Sequence, residues 1–243
     1  MNTNISAVVL EDSIISVGLK AFAECSALVT VQLGQQLAVV GTMAFSHSTI
    51  LALELPDSLL SAGPYAFGHT TNLAAVNVGA GITRIAEGMF YHSGVAGHLE
   101  LLEDLVAIDR NAFALCSSIT SISFPTTLEY IGSAAFRGTG LRSVELPDSV
   151  TVISNMAFAD TLALADVELS HGLTTVSVGL FWNSLSLSTV DIPPNVETIL
   201  NLAFAGTSIT RLQLPPSVIF VSPSIFNSNS AISSQIASVC GGN

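Results

Sequence analysis

Four side chains that could bind a transition metal recur at intervals of 22 or 23 residues: Glu24, His47, His69 and His92. Imidazole nitrogens and carboxylates are zinc ligands, and zinc sites usually hold four ligands. A shared site requires a fold that brings these distant residues together. The alternative is four ordinary positions of an exposed turn, and we expect neither a metal site nor a cofactor. Three neighbouring histidines would also repel one another when protonated, which would make this surface sensitive to pH.

A second recurring set is polar, and each member lies between two apolar residues, as in Leu53-Glu54-Leu55. Alternation with period two predicts a half-buried strand with these side chains on its solvent side. The acidic members are Glu54, Glu100, Glu145, Glu168 and Asp191, and the uncharged members are Gln32, Asn77, Ser123 and Gln213. This row is either an ordinary solvated face or a binding strip for a basic or polar partner.

The overall charge excludes one class of partner. The chain has 18 acidic residues against six lysines and arginines, which gives a net charge of −12. Nucleic-acid binding relies on clustered lysine and arginine, so we expect no nucleic-acid partner. No stretch of 18 or more apolar residues is present, and we therefore expect no transmembrane helix.

No motif indicates catalysis, and we expect a non-enzymatic protein. Gly79-Ala80-Gly81 begins a dinucleotide-type motif, but Arg84 stands where the third glycine belongs. Cys25, Cys116 and Cys240 lack metal-type spacing. An odd number of cysteines and an N-terminus without secretory features favour reduced thiols and an intracellular protein. A surface or secreted location would require a signal in a longer precursor.

The elements that position these side chains follow from a phenylalanine repeat. Ten phenylalanines recur at intervals of 22 or 23 residues, and this regularity predicts a solenoid whose rings form one internal column. They are Phe22, Phe45, Phe67, Phe90, Phe113, Phe136, Phe158, Phe181, Phe204 and Phe226. The positions 17, 14, 12, 8 and 5 residues before each phenylalanine are apolar in all ten copies.

Each repeat predicts the same local structure. An alternating strand ends at a turn that often contains proline, and a second short extended stretch leads to the phenylalanine. Glycines four residues before the ring, such as Gly18, Gly41, Gly63 and Gly132, suggest a bend that requires positive φ. Length varies only after the phenylalanine, which indicates that this stretch is an exposed corner.

The copy Leu141-Arg-Ser-Val144-Glu-Leu146-Pro147-Asp-Ser-Val150-Thr-Val-Ile153-Ser-Asn-Met-Ala157-Phe158 resembles the BspA-like, or Treponema pallidum-type, leucine-rich repeat. The resemblance covers residues 5–226. It implies a right-handed leucine-rich-repeat solenoid of the α/β-horseshoe class, with ten repeats of 22–23 residues, mostly short β-strands and little helix. We expect the solenoid to occupy residues 1–226, and residues 227–243 to form a C-terminal cap or tail.

The expected function is protein–protein interaction. Solenoids mostly present binding surfaces, and we expect a subunit or scaffold of a larger assembly that binds through one face. Only 10% of the residues are charged although 49% are hydrophobic. Part of the surface is therefore either covered by a partner or built from uncharged polar residues. The resemblance implies an alternative, which is cell-surface adhesion or recognition of carbohydrate or matrix.

Overall fold

The chain folds into a parallel β-solenoid, and the computed structural model describes residues 4–226 of it. No helix occurs in this range. The predicted cap over 227–243 and the third cysteine, Cys240, lie outside the described residues. We number the turns of the solenoid as coils, each of which ends at a recurring phenylalanine. Coils 1 to 10 comprise residues 5–22, 28–45, 50–67, 73–90, 96–113, 119–136, 141–158, 164–181, 187–204 and 209–226.

Two sets of parallel strands run along the solenoid. The first strands are β1 (Ala7–Val9), β3 (Thr30–Gln32), β5 (Ala52–Glu54), β7 (Ala75–Asn77), β9 (Gly97–Glu100), β11 (Ile119–Ser123), β13 (Ser143–Glu145) and β15 (Asp166–Glu168). The second strands are β2 (Ser16–Val17), β4 (Val39–Val40), β6 (Ser61–Ala62), β8 (Arg84–Ile85), β10 (Ala107–Ile108), β12 (Tyr130–Ile131), β14 (Val152–Ile153), β16 (Thr175–Val176), β17 (Thr198–Ile199) and β18 (Phe220–Val221). The prediction of short strands with little helix is confirmed.

The first strands pair two by two. β1 pairs with β3, β5 with β7, β9 with β11, and β13 with β15, whereas the second strands form sheets of three or four. The sequence pattern predicts a first strand in all ten coils. Among the described residues, coils 9 and 10 have none, and this prediction is wrong for residues 189–191 and 212–214.

An acidic residue in every second coil explains the pairing. Ten residues before the phenylalanine, odd-numbered coils 1, 3, 5 and 7 carry a carboxylate that accepts a hydrogen bond from the backbone N–H of the next coil. The bonds join Asp12 to Gln35 at 2.7 Å, Asp57 to Ala80 at 2.9 Å, Glu103 to Thr126 at 3.1 Å, and Asp148 to His171 at 3.0 Å. These four steps are the four at which first strands pair.

Coils 9 and 10 lack this carboxylate bond. The equivalent positions are Pro194 and Pro216, each within a Pro-Pro pair, and proline has no backbone N–H to donate. Coil 8 carries His171 rather than a carboxylate there, and the side-chain amide of Asn195 instead donates to the carbonyl oxygen of His171 at 2.8 Å. The first-strand ladder ends at β15.

The ten phenylalanine rings stack in one continuous column. Neighbouring ring centroids lie 5.1–6.1 Å apart, and eight of the nine pairs are within 18° of parallel. Every ring from Phe45 to Phe204 is fully buried, while Phe22 at the first coil is partly buried. Burial of such a ring contributes about 1.5–3 kcal/mol, so this column is a main source of stability.

The corner after each phenylalanine is only partly exposed. The residue three positions after the ring is buried in coils 1 to 8, including Cys25 and Cys116. Hydroxyl groups at this position donate to the carbonyl oxygen of the phenylalanine, as Thr70 does to Phe67 at 2.7 Å. The prediction of a wholly exposed corner is wrong at this position because a small hydrogen-bonding side chain fills the space beside the ring.

Two columns of left-handed residues flank the rings. The residues two before and two after each of the first nine phenylalanines have positive φ, for example Ala134 at 54° and Gly138 at 70° around Phe136. The glycines four residues before the ring do not have positive φ, so that expectation is wrong. Those at 41, 63 and 132 instead allow close stacking, since an added Cβ would lie 2.6–2.7 Å from the neighbouring coil's backbone.

Candidate interaction surface

The predicted strip lies on the outward face of the first strands. All nine residues, Gln32, Glu54, Asn77, Glu100, Ser123, Glu145, Glu168, Asp191 and Gln213, are exposed. Their strand neighbours in sequence, such as Leu53 and Val144, point into the core. The alternation of side chains along a strand therefore places the polar residues outward. We call this surface the first-strand face.

Strand register brings some of these residues together. Glu145 on β13 is directly opposite Glu168 on β15. Glu54 is opposite Asn77, and Glu100 is opposite Ser123. The acidic members therefore do not form one continuous row. The carboxylates are concentrated at coils 7 to 9, where Asp191 follows Glu168 on the next coil.

Among residues 4–226, no ion pair neutralises this concentration of charge. Within residues 4–226, the ion pairs are Arg84–Asp109, Arg137–Asp160 and His171–Asp148, and none involves the strip. Arg211 is on coil 10 but makes no ion pair. Like charges directly opposite each other on neighbouring strands are destabilising. The Glu145–Glu168 pair therefore costs stability in the free protein.

A groove crosses the first-strand face at the acidic end. It has a volume of about 870 Å³ and is bounded by β13, β15 and residues 189–194. Four carboxylates line it, namely Glu145, Asp166, Glu168 and Asp191. A volume of 300–1,000 Å³ is typical of ligand sites. The sequence interpretation included three of these residues and missed Asp166, which precedes the partly buried Val167 on the same strand.

The signal for the groove was present in the sequence but not recognised. The acidic residue ten positions before the phenylalanine occurs in coils 1, 3, 5 and 7, and Pro194 occupies that position in coil 9. This alternation repeats over two coils rather than one. It predicts which coils are held together and where that series ends.

The solenoid brings the histidine column together in the corner that follows each phenylalanine. The rings of His47 and His69 stack at 4.2 Å, and His69 meets His92 edge-on at 5.6 Å. Tyr91 also packs against His69, at 5.1 Å. Burial, followed by the charges of His47 and His92, lowers the pKa of His69 below its ordinary value.

The geometry of this column does not form a metal centre. Within residues 4–226, no group of three or more His, Cys, Asp or Glu side chains is arranged to hold a metal ion. Ring stacking at 4.2 Å places the imidazoles face to face, whereas metal ligands direct ring nitrogens toward one point. Glu24 is exposed on coil 1 and is not part of such a group.

Burial makes the internal thiol unreactive. Cys116 donates to the carbonyl oxygen of Phe90 at 3.0 Å and lies 3.3 Å from the hydroxyl of Ser93. Desolvation raises the pKa of its thiol to about 11. The reactive form of cysteine is the thiolate, so Cys116 has a structural role in this corner.

Comparison with known proteins agrees with the repeat seen here. A family model for the BspA-type leucine-rich repeat region, with six copies, matches residues 1–119 and 106–233. The chain belongs to the BspA-type leucine-rich repeat family. The sequence resemblance is thereby confirmed. No curated protein matches the chain at a comparable level of significance.

Solved structures of three bacterial proteins share the solenoid. A leucine-rich repeat protein from Bacteroides ovatus is 22% identical with a TM-score of 0.63, covering 87% of this chain and 67% of its own. The pneumococcal vaccine antigen PcpA is 19% identical with a TM-score of 0.61, covering 92% and 66%. A leucine-rich repeat protein from Eubacterium ventriosum is 18% identical with a TM-score of 0.69, covering 86% and 61%.

These similarities concern the fold, since the identities are low. The chain spans about two thirds of the length of the Bacteroides and pneumococcal proteins and 61% of the Eubacterium protein. The leucine-rich repeat is a non-enzymatic repeat fold. No segment within residues 4–226 forms a helix able to cross a membrane.

Proposed function

We propose that this protein is a non-enzymatic protein-interaction module that binds a partner through the first-strand face, as a subunit or scaffold of a larger assembly. BspA-type repeats provide an extended surface without a catalytic centre. Among the surfaces of the solenoid, the first-strand face carries both the exposed strip and the groove of about 870 Å³.

One observation supports this face above the others. Glu145 and Glu168 are exposed, in register and without an ion pair. Repulsion between them weakens the free protein, and a cation from a partner would replace repulsion with attraction. The free energy lost in the isolated protein is thus recovered on binding. Ordinary solvation of the face does not require two carboxylates to be opposite each other.

The test compares two triple variants that remove the same number of charges. The strip variant combines Glu145→Gln, Glu168→Gln and Asp191→Asn. The control combines Glu87→Gln, Glu129→Gln and Glu197→Gln, which are outside the first strands. Neither set makes an ion pair in the described structure. Both variants therefore have the same net charge, so a general charge effect cannot separate them.

Partner capture from extracts of the source cells is quantified by cross-linking and mass spectrometry. We expect the parent and the control to retain a defined protein, and the strip variant to retain about tenfold less of it. Its cross-links should map to coils 7–9, and raising the salt concentration should weaken its binding. Equal capture by the two triple variants would exclude this face. Binding only to immobilised glycans or matrix proteins would replace the assembly role with adhesion.

A further inference from the structure

We infer that the groove between coils 8 and 9 binds an extended, lysine- or arginine-bearing segment of a partner protein, whose backbone pairs with the open edge of β15. This inference rests on the proposed function and specifies the partner's local chemistry. It commits to strand addition as the binding mode, in which backbone hydrogen bonds provide affinity and alternate side chains provide specificity.

The first argument is that the backbone of the groove has no partner. On coil 7, the N–H of Leu146 donates to the carbonyl oxygen of Glu168 on coil 8 at 3.0 Å. The equivalent bond from Leu169 to coil 9 is absent. Leu169 lines the groove, and its N–H is a backbone donor without a backbone acceptor there. An added strand would provide the missing acceptor.

The N-terminal end of β15 also lacks a backbone hydrogen bond to coil 9. On coil 7, the carbonyl oxygen of Arg142 accepts bonds from Ala165 and Asp166, at 2.9 and 3.4 Å. The equivalent carbonyl on coil 8 belongs to Ala165, and it accepts no bond from the backbone of coil 9. The edge of β15 that faces coil 9 therefore offers both a donor and an acceptor.

This opening differs from the other unpaired steps. First-strand pairing is also missing between coils 2 and 3, 4 and 5, 6 and 7, and 9 and 10, although the second strands pair at each of these steps. At each of those steps, one backbone hydrogen bond still joins the two coils near the start of the first strand. No such bond joins coil 8 to coil 9. The retained bonds are Leu51 to Val29, Ala96 to Ala74, Arg142 to Thr120, and Ser208 to Leu187.

The spacing of the core rings agrees with this opening. The centroid of Phe181 lies 6.0 Å from that of Phe158 and 6.1 Å from that of Phe204. All other neighbouring pairs lie 5.1–5.7 Å apart. Coil 8 is thus the most loosely stacked coil. No carboxylate clamp joins coil 8 to coil 9, because coil 8 carries His171 at the clamp position and Pro194 has no N–H to donate.

Charge determines which segment fits. Glu145, Asp166, Glu168 and Asp191 line the groove. The nearby His171 is engaged with Asp148 at 2.9 Å, so it does not neutralise them. Side chains of an added strand alternate between the two faces. Lysine or arginine at every second position would therefore meet the carboxylates, and an acidic segment would be repelled.

The first experiment tests the open edge in the parent protein alone. Hydrogen–deuterium exchange at single-residue resolution compares the amide of Leu169 with that of Leu146, its bonded counterpart on coil 7. We expect Leu169 to exchange at least about tenfold faster. Equal protection would overturn strand addition here, while the proposed function could still hold through side-chain contacts on the same face.

The second experiment measures binding of short peptides by fluorescence anisotropy. The probe is a peptide of about eight residues in which lysine alternates with threonine, a length that suits strand addition. Two matched peptides replace lysine by glutamate or methylate alternate backbone nitrogens. We expect binding by the first peptide only, together with slower exchange of the Leu169 amide. Equal binding of the methylated peptide would show that charge alone drives the contact and would overturn the inference.

Two protein variants locate the site. Asp191→Lys reverses a charge in the groove, and Glu129→Lys makes the same change at an exposed position outside the first strands. We expect about a tenfold or greater loss of peptide affinity for Asp191→Lys and less than about twofold for Glu129→Lys. Equal losses would show general charge attraction and reject the groove. Partner capture that depends on the strip, without peptide binding, would reject only this inference and not the proposed function.

Discussion

Replacement of Phe136 by alanine tests the central feature of the fold. This ring is fully buried, and its centroid lies 5.5 Å from those of both Phe113 and Phe158. The ring of Phe124 meets its edge at 5.6 Å. Removing the ring leaves a cavity in the middle of the column, because the coils above and below are held by their own hydrogen bonds and cannot collapse into the space.

The expected loss of folding free energy follows from these contacts. Transfer of the phenylalanine side chain out of water accounts for about 1.5–3 kcal/mol. Each aromatic pair adds about 0.5–1.5 kcal/mol. The total agrees with the loss of about 3–5 kcal/mol that is usual for buried Phe→Ala substitutions. Urea unfolding followed by circular dichroism measures this loss, and the transition is analysed as two units if the array divides at coil 6.

Two controls distinguish the loss of ring stacking from a general loss of hydrophobic side chains. Phe220→Ala removes a ring that is 50% exposed, and we expect a change within about 0.5 kcal/mol. Phe113→Ala combined with Phe136→Ala removes two stacked neighbours, so their effects should depart from additivity by about 0.5–3 kcal/mol. A loss below about 1 kcal/mol for Phe136→Ala, similar to that for Phe220→Ala, would refute the stacked-column account.

Four further predictions concern local contacts. Asp57→Ala should speed amide exchange in β5 and β7, because the hydrogen bond from the N–H of Ala80 to the Asp57 carboxylate is lost. Asp57→Asn keeps an acceptor and should exchange more slowly than Asp57→Ala. Equal exchange in both variants would contradict a role for this bond in the pairing. The pKa of folded His69 is lowered, so the unfolded chain takes up the proton first and stability falls as pH drops below about 6.5. His69→Asn should lose less stability between about pH 8 and pH 5 in urea titrations, and identical losses would remove His69 as the cause. Cys116, with its raised pKa, should resist iodoacetamide in the native protein and react after unfolding, as mass spectrometry can show; rapid native labelling would contradict its burial. Ala134→Gly should stabilise the protein by up to about 1 kcal/mol, and Gly138→Ala should destabilise it by more than about 1 kcal/mol, because a left-handed backbone disfavours a Cβ. Thermal melts measure both changes. A lower melting temperature for Ala134→Gly than for Gly138→Ala would be inconsistent with the positive φ values.

Some conformational features could not be predicted from residue types. Lys20, Met43, Tyr65 and Leu202 all have positive φ, yet none is a residue that usually signals left-handed backbone. Bonds between coils impose this conformation. The N–H of Met43, for instance, donates to the carbonyl oxygen of Pro64 on the next coil at 2.9 Å. The stack determines φ here, and local propensity does not.

The exposed strip likewise combines features that the sequence predicts with features that depend on contacts between coils. Exposure of Glu145 and Glu168 was predicted from alternation with Val144 and Val167, since period two determines which way a side chain points. The sequence Thr189-Val190-Asp191-Ile192 has the same alternation and predicts a strand as strongly. Its failure to pair depends on the neighbouring coil 8, which carries His171 rather than a carboxylate at the clamp position. A pattern within one coil does not include that neighbour.

The sequence by itself determined the repeated unit, its ten copies and the side chains that face the core. Each of these follows from a short-range rule applied within one coil and repeated at a constant interval. Only the tertiary structure decided which coils are bonded to each other, where the first-strand ladder ends and which carboxylates share a groove. Those properties depend on hydrogen bonds between residues about one coil apart, such as the bond from the N–H of Ala80 to the carboxylate of Asp57, which no rule confined to one coil includes.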